Sequence, residues 1–550
     1  MLAARVKKLV QDAAYEAFGK RAIEVDFQVE RPRAKEFGDF AANAAFQLAK
    51  ELKQSPREIA AVIVDRLKDC PEIARVEVAG PGFINLFLRS RVFHEELREI
   101  LERKDNYART DLYRGLKIQV EFVSANPVGP MHIGHGRWAA YGDALARVLE
   151  KAGASVVREF YVNDAGRQMD IFAESVACRY AEIYGEQPEF PEEGYRGHYI
   201  HDIAREIADS YGSRFMEVSH DHRKEIFKEV AYKMVLEHLK KVLESMDVHF
   251  DVWFSERMLH EQGELEKAVE LLRQRGYVYE KDGAVWFKST AFGDEKDRVL
   301  IRSNGEPTYF LADIAYHINK RERGFDRVID IWGADHHGYV RRMKAAMLAL
   351  GYPEEFLEVI IGQMVNLLSG GKPVRMSKRT GEMVTLEELL EEVGKDALRF
   401  FFVSKSTDST LDFDIELARE QSQKNPVYYV QYAHARIASI LRKAEEEGLS
   451  VTKNDLDLVN LLKRPEEIEL ISLLTLYPEM VQVCARTREV HHLPAYLIDL
   501  ASNFHSFYQR VRVISPDEKI SKARLLLISG VKIIMADALS LLGVSAPEKM

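Results

Sequence analysis

The feature of this sequence that most constrains its fold is a strand–loop–helix–strand unit at residues 116–164. The segment LKIQVEFV is rich in apolar and β-branched residues, which is typical of a strand buried on both faces. The loop SANPVGPMHIGHG leads into GRWAAYGDALARVLEKAG, which has a helical period and ends at a glycine, and SVVREFYVND predicts a second strand. Because two consecutive strands joined through a helix lie parallel in one sheet, the unit predicts an α/β domain built on a parallel sheet.

The rest of the chain divides into segments with different patterns. Residues 1–105 alternate amphipathic helices with short strands, which predicts a small N-terminal α/β domain. Residues 170–275 are mainly charged helix, and strand signals return at YVYEKDGAVWF, DRVLIRS, FDRVIDIWGADHHG and EVIIGQMVNLL. After Asp414 the pattern is helical almost to the end, which predicts an all-α C-terminal bundle. We predict domains at residues 1–105, 106–364 with a helical insertion at about 170–290, 365–413 and 414–550.

Composition narrows the function classes. The chain carries 77 Lys and Arg against 87 Asp and Glu, a net charge of −10, so any RNA contact must use local basic surfaces. Cys70, Cys178 and Cys484 lie far apart, with neither a disulfide framework nor a metal-ligand spacing, so we expect a reducing cytoplasm and no structural metal. The N-terminus lacks the apolar block of a signal peptide, and no uninterrupted apolar stretch of about 18 residues predicts a membrane span.

The loop of the strand–helix unit carries the sequence His132-Ile133-Gly134-His135 at the predicted start of the helix. Free N–H groups and the positive end of the helix dipole attract phosphate there, and glycines let the backbone approach closely. Two imidazoles three residues apart can share one face and donate hydrogen bonds to phosphate oxygens. The same two histidines could instead cap the helix, lie on the surface or bind a metal.

A second candidate phosphate site is the RMSKR segment (Arg375–Arg379), which follows the glycine-rich stretch SGGKP. Three cations on a glycine-rich loop suit closure over a triphosphate, where they can stabilise the charge that develops as pyrophosphate leaves. The alternative is a charge run on a solvated surface.

Acidic residues in apolar surroundings predict a site for a cation. Glu121 lies near the end of the apolar strand IQVEFV, where a carboxylate is costly unless it is paired. Ser124 follows in the same loop, and Tyr309 and Asp313 share one face of a predicted helix at i,i+4 spacing. Two carboxylates and a phenol could enclose a guanidinium, which presents five donors in a fixed fork. A surface group or a salt-bridge partner is the alternative for each acid.

The HIGH sequence and the downstream RMSKR segment together resemble the two signature motifs of class I aminoacyl-tRNA synthetases. The resemblance implies a Rossmann-type catalytic domain whose HIGH and KMSK-like motifs cradle ATP, with Arg375 at the place where a lysine is usual. It implies that GADHH contacts adenosine, although a polar loop or a metal site of Asp335, His336 and His337 is the alternative. The residues it assigns to ATP are His132, Gly134, His135, Gly333, Asp335, His336, Met376, Ser377 and Lys378, and those it assigns to catalysis are His132, His135 and Lys378.

Longer segments resemble one family in this class, the arginyl-tRNA synthetases. These are VEFVSANPVGPMHIGH, YFLADIAYH, WGADHHGYVRRMKAA, KDALRFFF, NPVYYVQYAHARI and the terminal LLGVSAPEKM. The resemblance implies that arginine is held by Glu121, Ser124, Asn126, Tyr309, Asp313 and Asn366. It also implies that the N-terminal domain touches the tRNA elbow through Phe83 and Asn85, whose alternatives are a core aromatic and a turn asparagine. Residues 365–413 then carry the KMSK-like loop and a tRNA stem contact, and the C-terminal bundle binds the anticodon.

The implied reaction has two steps in one site. The arginine carboxylate attacks the α-phosphate of Mg-ATP to give arginyl-adenylate and pyrophosphate, and the terminal ribose of tRNA-Arg then takes the arginyl group. The resemblance further implies a cytoplasmic monomer, no membrane partner and an adenylation step that needs bound tRNA. The rival interpretations are another class I synthetase, a HIGH-bearing nucleotidyltransferase and a non-catalytic tRNA-binding paralogue.

Overall fold

The computed structural model describes residues 1–22, 25–32, 34–374 and 383–550, with the backbone alone for Arg21. The RMSKR segment, and with it Met376, Ser377 and Lys378, lies outside the described residues.

The N-terminal domain is an antiparallel sheet with helices packed against it. In chain order its elements are α1 (Leu2–Phe18), β1 (Val29–Glu30), β2 (Phe40–Ala42), α2 (Ala44–Leu52), α3 (Pro56–Leu67), β3 (Ile73–Ala79), β4 (Phe83–Leu88) and α4 (Ser90–Arg103). The strands lie in the order β1-β2-β4-β3. The Pro-Gly turn joins β3 to β4, and Val78 pairs with Ile84 across that hairpin. The predicted small N-terminal α/β domain is confirmed.

The central part of the chain contains a parallel sheet with helices on it. In chain order its elements are β5 (Lys117–Glu121), α5 (Ile133–Lys151), β6 (Ser155–Val162), α6 (Arg167–Ile183), α7 (His198–Tyr211), α8 (His220–Ser245), β7 (Val252–Ser255), α9 (Arg257–Glu261), α10 (Glu264–Gln274), β8 (Val278–Lys281), β9 (Ala284–Phe287), β10 (Arg298–Ile301), α11 (Tyr309–Glu322), β11 (Arg327–Gly333), α12 (Val340–Ala349) and β12 (Leu357–Gly362). The segment Arg167–Ser245 inserts three helices between β6 and β7, and β8–β10 form a separate antiparallel sheet of order β10-β9-β8.

The five parallel strands lie in the order β12-β11-β5-β6-β7. The predicted strand–helix–strand unit is β5–α5–β6, and Ile118 pairs with Val156 in parallel register. The chain moves outward from β5 through β6 to β7, and it then returns to place β11 on the other side of β5. The direction of winding therefore changes between β5 and β11, and in open α/β sheets ligands bind at the carboxyl ends of the strands at such a switch point.

The C-terminal part is mainly helical. In chain order its elements are β13 (Val365–Ser369), β14 (Lys372–Pro373), α13 (Leu386–Val393), α14 (Lys395–Phe402), β15 (Leu411–Asp414), α15 (Ile415–Arg419), α16 (Pro426–Glu446), α17 (Pro465–Leu474), α18 (Tyr477–Thr487), α19 (His492–Arg510) and α20 (Glu518–Leu541). The predicted C-terminal helical bundle is confirmed. By length and composition the stretch Pro465–Thr487 could cross a membrane, but half of it is buried within the protein, as in a core helix.

The segment EVIIGQMVNLL, which predicts one strand, forms β12 and β13 in two different sheets. The chain leaves the central sheet at Gly362, where a Cβ atom would lie 2.1 Å from the Trp138 ring, so only glycine fits beside α5. Gln363 N then donates to Thr407 O at 2.9 Å, which directs the chain into the small sheet of order β14-β13-β15. The pattern of apolar residues shows the strands and does not show the break between them.

Candidate functional site

The histidine motif lies at the switch point, at the end of the loop that connects β5 to α5. His132 is the residue that caps α5: its Nδ1 accepts a hydrogen bond from Gly134 N at 3.1 Å. His135 caps in the reverse direction, because its Nδ1 accepts from His132 N at 3.2 Å. The two rings stack with their centroids 3.8 Å apart. Both histidines therefore cap the helix, as the alternative interpretation predicts. Capping uses only Nδ1 of each ring and leaves Nε2 available.

The capping bonds fix the tautomer of both histidines. A neutral imidazole whose Nδ1 accepts a hydrogen bond carries its proton on Nε2. Burial lowers the pKa of His135 to about 3 and also lowers the pKa of His132, whose side chain is more exposed. Both rings are thus neutral near pH 7, and neither Nε2 has a hydrogen-bond partner within the described part of the chain. The motif presents two N–H donors beside the free N–H groups of a helix N-terminus, which suits phosphate.

Two glycines let this motif pack. A Cβ on Gly134 would lie 2.9 Å from the His132 ring, and one on Gly136 would lie 2.4 Å from Leu386 at the start of α13. The segment before the motif also contacts the start of α13. Leu386 N donates to Met131 O at 2.8 Å, and His132 and Thr385 form an isolated antiparallel β-bridge. The described chain that follows the RMSKR segment therefore lies directly against the HIGH motif.

A row of three carboxylates crosses the centre of the sheet. Asp330 on β11, Glu121 on β5 and Glu159 on β6 are register partners and so share one face. All three are buried beneath α11. The Lys320 ammonium bridges Glu121 at 2.7 Å and Asp330 at 2.8 Å, and Arg323 donates to both oxygens of Glu159.

The basic groups on α11 balance this row. His317 lies 2.8 Å from Asp330 and 2.7 Å from the Asp313 carbonyl oxygen, so both of its nitrogens face acceptors. Burial raises the pKa of Asp330, yet Lys320 and His317 outweigh it and hold that pKa well below its usual range. Burial raises the pKa of Glu121, and Lys320 opposes that shift. Glu121 therefore has a protein partner, so its burial alone does not require a substrate cation.

The backbone after Glu121 turns through an unusual conformation. Val123 and Ser124 have φ values of 70° and 40°, in the left-handed region that β-branched and other L-residues rarely adopt. The turn places Ser124 Oγ 3.0 Å from Glu121 Oε1, to which it donates, and Tyr161 N donates to the same hydroxyl at 3.1 Å. Backbone strain of this kind costs about 1–3 kcal/mol per residue and concentrates at functional sites.

Two further carboxylates at this edge of the sheet have no Lys or Arg partner among the described residues. Asp313 on α11 accepts a hydrogen bond from the Tyr339 hydroxyl, and burial raises its pKa. Glu256 follows β7; burial and the Asp313 charge raise its pKa to about 7, although the Tyr161 hydroxyl bonds to it. His260, 3.8 Å away, is its nearest basic group in the described chain. The pair is an unbalanced acidic centre.

Through Glu256, this acidic centre borders a cavity of about 850 Å³. Glu256 and Tyr309 line the cavity, and Tyr309 is 60% exposed, so its hydroxyl is accessible to a ligand. The arginines that line the same cavity have acidic partners: Arg167 pairs with Glu193, Arg257 with Glu229 and Arg302 with Glu306. Glu256, which has no Lys or Arg partner among the described residues, therefore offers the cavity a carboxylate that suits a cationic side chain.

The other predicted site residues are divided between the central sheet and a second, smaller sheet. Gly333 ends β11, and Asp335 and His336 follow it as exposed residues 3.3 Å apart at the carboxyl edge of the sheet. Asn126 donates to Gln168 at 2.8 Å. Asn366 lies in the other small sheet, where its amide donates to Asp412 at 2.8 Å. The structure thus brings Glu121, Ser124, Tyr309 and Asp313 to one edge of the sheet and leaves Asn366 on another sheet.

The residues predicted to touch RNA lie on β4. Phe83 is 43% exposed and packs edge-on against Phe46 with centroids 4.8 Å apart, so one face of its ring is open. Asn85 is buried on the same strand and pairs with Ala41 of β2. The tRNA contact of this pair stays a prediction.

Metal binding by the predicted residues is the remaining alternative. Within the described ranges, two groups of three residues bring metal-ligand atoms within 4.8 Å of one another. They are Glu174, Cys178 and His220, and Glu489, His491 and His492. Neither group includes the HIGH histidines or Asp335.

Comparison with known proteins bears on the whole chain. Residues 4–88 match the model of the arginyl tRNA synthetase N-terminal domain, residues 96–438 that of the class I (R) tRNA synthetase catalytic domain, and residues 430–550 that of the DALR anticodon-binding domain. The chain is 51% identical to the arginine–tRNA ligase of Carboxydothermus hydrogenoformans over 96% of its length and 95% of that protein's. It is 49% identical to the enzyme of Geobacillus kaustophilus, over 99% and 98%.

A solved structure agrees. The arginyl-tRNA synthetase of Thermus thermophilus is 26% identical and aligns over the full length of both chains with a TM-score of 0.77. A parallel sheet whose switch point carries a histidine-capped helix, matched over residues 96–438, defines a class I aminoacyl-tRNA synthetase. Since the catalytic model covers more than half of the chain and the relatives cover nearly all of it, the chain belongs to the arginyl-tRNA synthetase family.

Sequence reasoning missed Glu256 and Lys320. Glu256 follows the apolar strand VWFS, and the same pattern, an acid at the end of an apolar strand, points to Glu121. Lys320 lies seven residues after Asp313 on the same helix, and the repeated polar positions Asp313, His317 and Lys320 in an apolar helix indicate one polar face that includes it.

Proposed function

We propose that Asp313 and Glu256 receive the guanidinium of arginine, which the enzyme joins to tRNA at the expense of ATP. Family membership makes the reaction the ATP-dependent attachment of arginine to tRNA. The observation that supports this substrate site is the charge balance. The acids of the central row have protein cations, whereas Asp313 and Glu256 have no Lys or Arg partner among the described residues. A guanidinium supplies that charge and can bond to two carboxylates in one plane.

The remaining contacts to arginine follow from this placement. Tyr309 at the cavity wall can accept from or donate to the substrate with its exposed hydroxyl. Glu121, Ser124 and Asn126 lie in β5 or in the loop that leads from it to the HIGH motif, and we assign them to the rest of the amino acid. Asn366 belongs to the same proposed set on the family resemblance.

ATP lies at the HIGH motif in this proposal. The Nε2–H groups of His132 and His135, with the backbone N–H groups around Gly134, bond to its phosphates. Gly333, Asp335 and His336, at the carboxyl end of the adjacent β11, hold adenosine. Met376, Ser377 and Lys378 complete the phosphate contacts, and the packing of Thr385 and Leu386 against the HIGH motif supports that assignment. Mg²⁺ enters with ATP as its counterion.

The chemistry needs no nucleophile from the protein. An arginine carboxylate oxygen bonds to the α-phosphorus of ATP, the α–β phosphoanhydride bond breaks and pyrophosphate leaves. A ribose hydroxyl at the 3′ end of tRNA then bonds to the carbonyl carbon, loses its proton and displaces AMP. The neutral His132 and His135 and the cation of Lys378 stabilise charge on the phosphate oxygens as these bonds change. Positioning and electrostatics supply the rate enhancement.

The other parts of the chain serve the tRNA. We assign the N-terminal domain, through Phe83 and Asn85, to the elbow of tRNA-Arg and the C-terminal bundle to its anticodon. The enzyme acts as a cytoplasmic monomer without a membrane partner in this proposal. The net charge of −10 means that local basic and aromatic surfaces must hold the RNA.

The test begins with aminoacylation by each of the twenty amino acids, with and without total tRNA. Arginine alone should be transferred, and only with tRNA. Asp313→Asn should then raise the KM for arginine at least about tenfold, the loss expected from one charge-assisted bond, with the KM for ATP unchanged. Asp335→Asn is the matched control and should raise the KM for ATP alone. Equal effects of Asp313→Asn on both KM values would contradict the guanidinium site.

A further inference from the structure

Three side chains with metal-ligand atoms converge between two helices of the inserted segment, outside the site already described. Glu174 and Cys178 lie four residues apart on α6 and therefore share one face of that helix. His220 is the first residue of α8, which packs against α6. One ligand atom from each residue, an oxygen, a sulfur and a nitrogen, lies within 4.8 Å of the other two.

One carboxylate oxygen of Glu174 is shared within this cluster. His220 Nε2 lies 2.5 Å from Glu174 Oε1, and the Cys178 thiol donates to the same oxygen at 3.8 Å. The other oxygen, Oε2, faces the Lys224 ammonium at 4.0 Å. Lys224 therefore orients the carboxylate so that Oε1 points at the sulfur and the imidazole, as outer groups do around the ligands of bound metals.

The distances in the cluster fit a tetrahedral zinc ion after a small adjustment. With Zn–N and Zn–O distances of about 2.0 Å and a Zn–S distance of about 2.3 Å, neighbouring ligand atoms are about 3.3–3.6 Å apart. The sulfur–oxygen distance of 3.8 Å is close to this spacing. The His220 ring must move about 1 Å from the carboxylate to reach it. That side chain is 39% exposed at a helix end, so it has room to move.

Burial differs among the three ligands in the way that a binding site requires. Cys178 is fully buried, whereas Glu174 and His220 are partly exposed. An ion can therefore enter from the solvent side and reach the sulfur, and water can complete its coordination there. Three protein ligands with an open fourth position distinguish this site from a structural zinc site, which four protein ligands close.

The donor set selects among the biological cations. Mg²⁺ and Ca²⁺ take oxygen ligands, and a carboxylate does not suit Cu⁺, which prefers sulfur. Zn²⁺ accepts cysteine, histidine and carboxylate together. One thiolate and one carboxylate would also neutralise the two charges of the ion.

We propose that Glu174, Cys178 and His220 bind an exchangeable Zn²⁺ that ties α6 to the start of α8. On binding, the S–H bond of Cys178 breaks, a Zn–S bond forms and the proton leaves to solvent. Burial raises the pKa of this thiol to about 12, so the ion must displace the proton. The inference is independent of the proposed function, because none of the three residues belongs to the arginine or ATP site.

This proposal replaces the expectation, drawn from the spacing of the cysteines, that the protein holds no structural metal. Only one of the three ligands is a cysteine, and His220 lies 42 residues after it in the sequence. Cysteine spacing therefore could not indicate the site, which depends on the packing of α8 against α6.

The test uses Co²⁺ as a spectroscopic substitute for Zn²⁺ in the full-length enzyme after treatment with a chelator. One equivalent should produce the sulfur-to-cobalt charge-transfer absorption and the intense visible bands of four-coordinate Co²⁺, and Zn²⁺ should displace both. Cys178→Ser should abolish the charge-transfer absorption. Cys70→Ser and Cys484→Ser, which remove the other two thiols, are the matched controls and should retain it.

Affinity and thermal stability provide a second readout. His220→Asn should weaken Co²⁺ binding at least about tenfold, since even the loss of a group outside the metal's own ligands costs that much. His492→Asn removes a histidine from the other group of three possible ligands and should leave the affinity unchanged. Zn²⁺ should raise the melting temperature of the wild type, because it binds the folded state, and should not raise that of His220→Asn.

His220→Asn, at the partly exposed end of a helix, keeps the test decisive should Cys178→Ser fail to fold. A wild-type enzyme without the charge-transfer absorption would overturn the proposal, and so would an absorption that persists in Cys178→Ser. Equal stabilisation of the wild type and His220→Asn by Zn²⁺ would place the ion elsewhere and overturn it as well.

Discussion

At the scale of single residues, Asp313 and Glu256 determine how the protonation of the site differs with and without arginine. Two carboxylates close together in a desolvated place cannot both ionise at their usual pKa, because each charge opposes the other. The protein supplies hydroxyl donors from Tyr339 and Tyr161 to this pair, but no Lys or Arg forms an ion pair with it within the described chain. The charges of His317 and Lys320 lower the pKa of Asp313 without offsetting its burial. The pKa of Glu256 is therefore raised to about 7, and its carboxyl group stays mostly protonated below that pH. A guanidinium that enters between them favours the ionised form, so arginine and one proton compete for the site.

The prediction is that arginine binds more tightly as the pH rises through about 7. Below its pKa Glu256 is neutral and cannot pair with the substrate, so the Kd for arginine should increase toward about tenfold per pH unit. Calorimetry in buffers of different ionisation enthalpy should show proton release on binding. The raised pKa also means that Glu256 stabilises the free enzyme when protonated and that this contribution is lost as the pH rises through about 7.

Glu256→Gln is the control for this prediction. The amide keeps the size of the side chain and cannot titrate, so arginine binding should be weaker and should lose most of its pH dependence. A wild-type Kd that does not change across neutral pH would show that Glu256 is not linked to arginine.

At the scale of elements, α11 is the part that joins the sheet to the substrate site. Its C-terminal half carries His317 and Lys320, which contact the carboxylate row of the sheet, and Arg323 follows directly. Its N-terminal half carries Tyr309, which lines the cavity, and Asp313, which belongs to the acidic centre. The ion pairs therefore fix the register of α11 on the sheet, and with it the distance between Asp313 and Glu121.

Lys320→Met should cost about 3–5 kcal/mol of unfolding free energy, because it leaves two buried carboxylates without their cation. Lys228→Met is the matched control: its pair with Asp170 is partly exposed and should cost at most about 1 kcal/mol. Urea unfolding of both variants measures the difference. A loss of register should also raise the KM for arginine in Lys320→Met. Equal unfolding free energies for the two variants would contradict the role of Lys320.

These elements also show which features of the fold and the site can be predicted from the sequence. The β5–α5–β6 unit could be predicted because its signals are local: strand composition, a helical period and a glycine stop. The cost of burying Glu121 was equally visible, whereas its partner Lys320 lies 199 residues away. That pairing depends on β11 lying beside β5 and on α11 covering both, and strand order is not encoded in any single segment. For the same reason Glu256 could be suspected as an acid after a strand but not assigned to the Asp313 pair.

At the scale of the whole molecule, buried arginines connect the catalytic sheet domain to the C-terminal bundle. Arg399 of the DALR sequence is fully buried and donates to the Leu542 and Met246 carbonyl oxygens, and it pairs with Asp143 on α5. Arg488, at the end of α18, pairs with Glu358 of β12, and its carbonyl oxygen accepts from Tyr141 on α5 at 2.7 Å. The helix that begins at the HIGH motif is thus bonded along its length to the bundle that we assign to the anticodon.

These bonds between the HIGH helix and the bundle could explain why the activation of arginine is expected to need bound tRNA. Exchange of pyrophosphate into ATP should need arginine and tRNA together, because tRNA seated on the bundle can act on the HIGH helix through these bonds. Arg488→Met should reduce the exchange rate at saturating tRNA at least about fivefold, the lower end of typical coupling between sites, with little change in tRNA affinity. Arg442→Met, which removes an exposed arginine paired with Glu548 in the same bundle, should leave the rate unchanged. Full exchange without tRNA would exclude the requirement, and an unaffected rate in Arg488→Met would exclude this route.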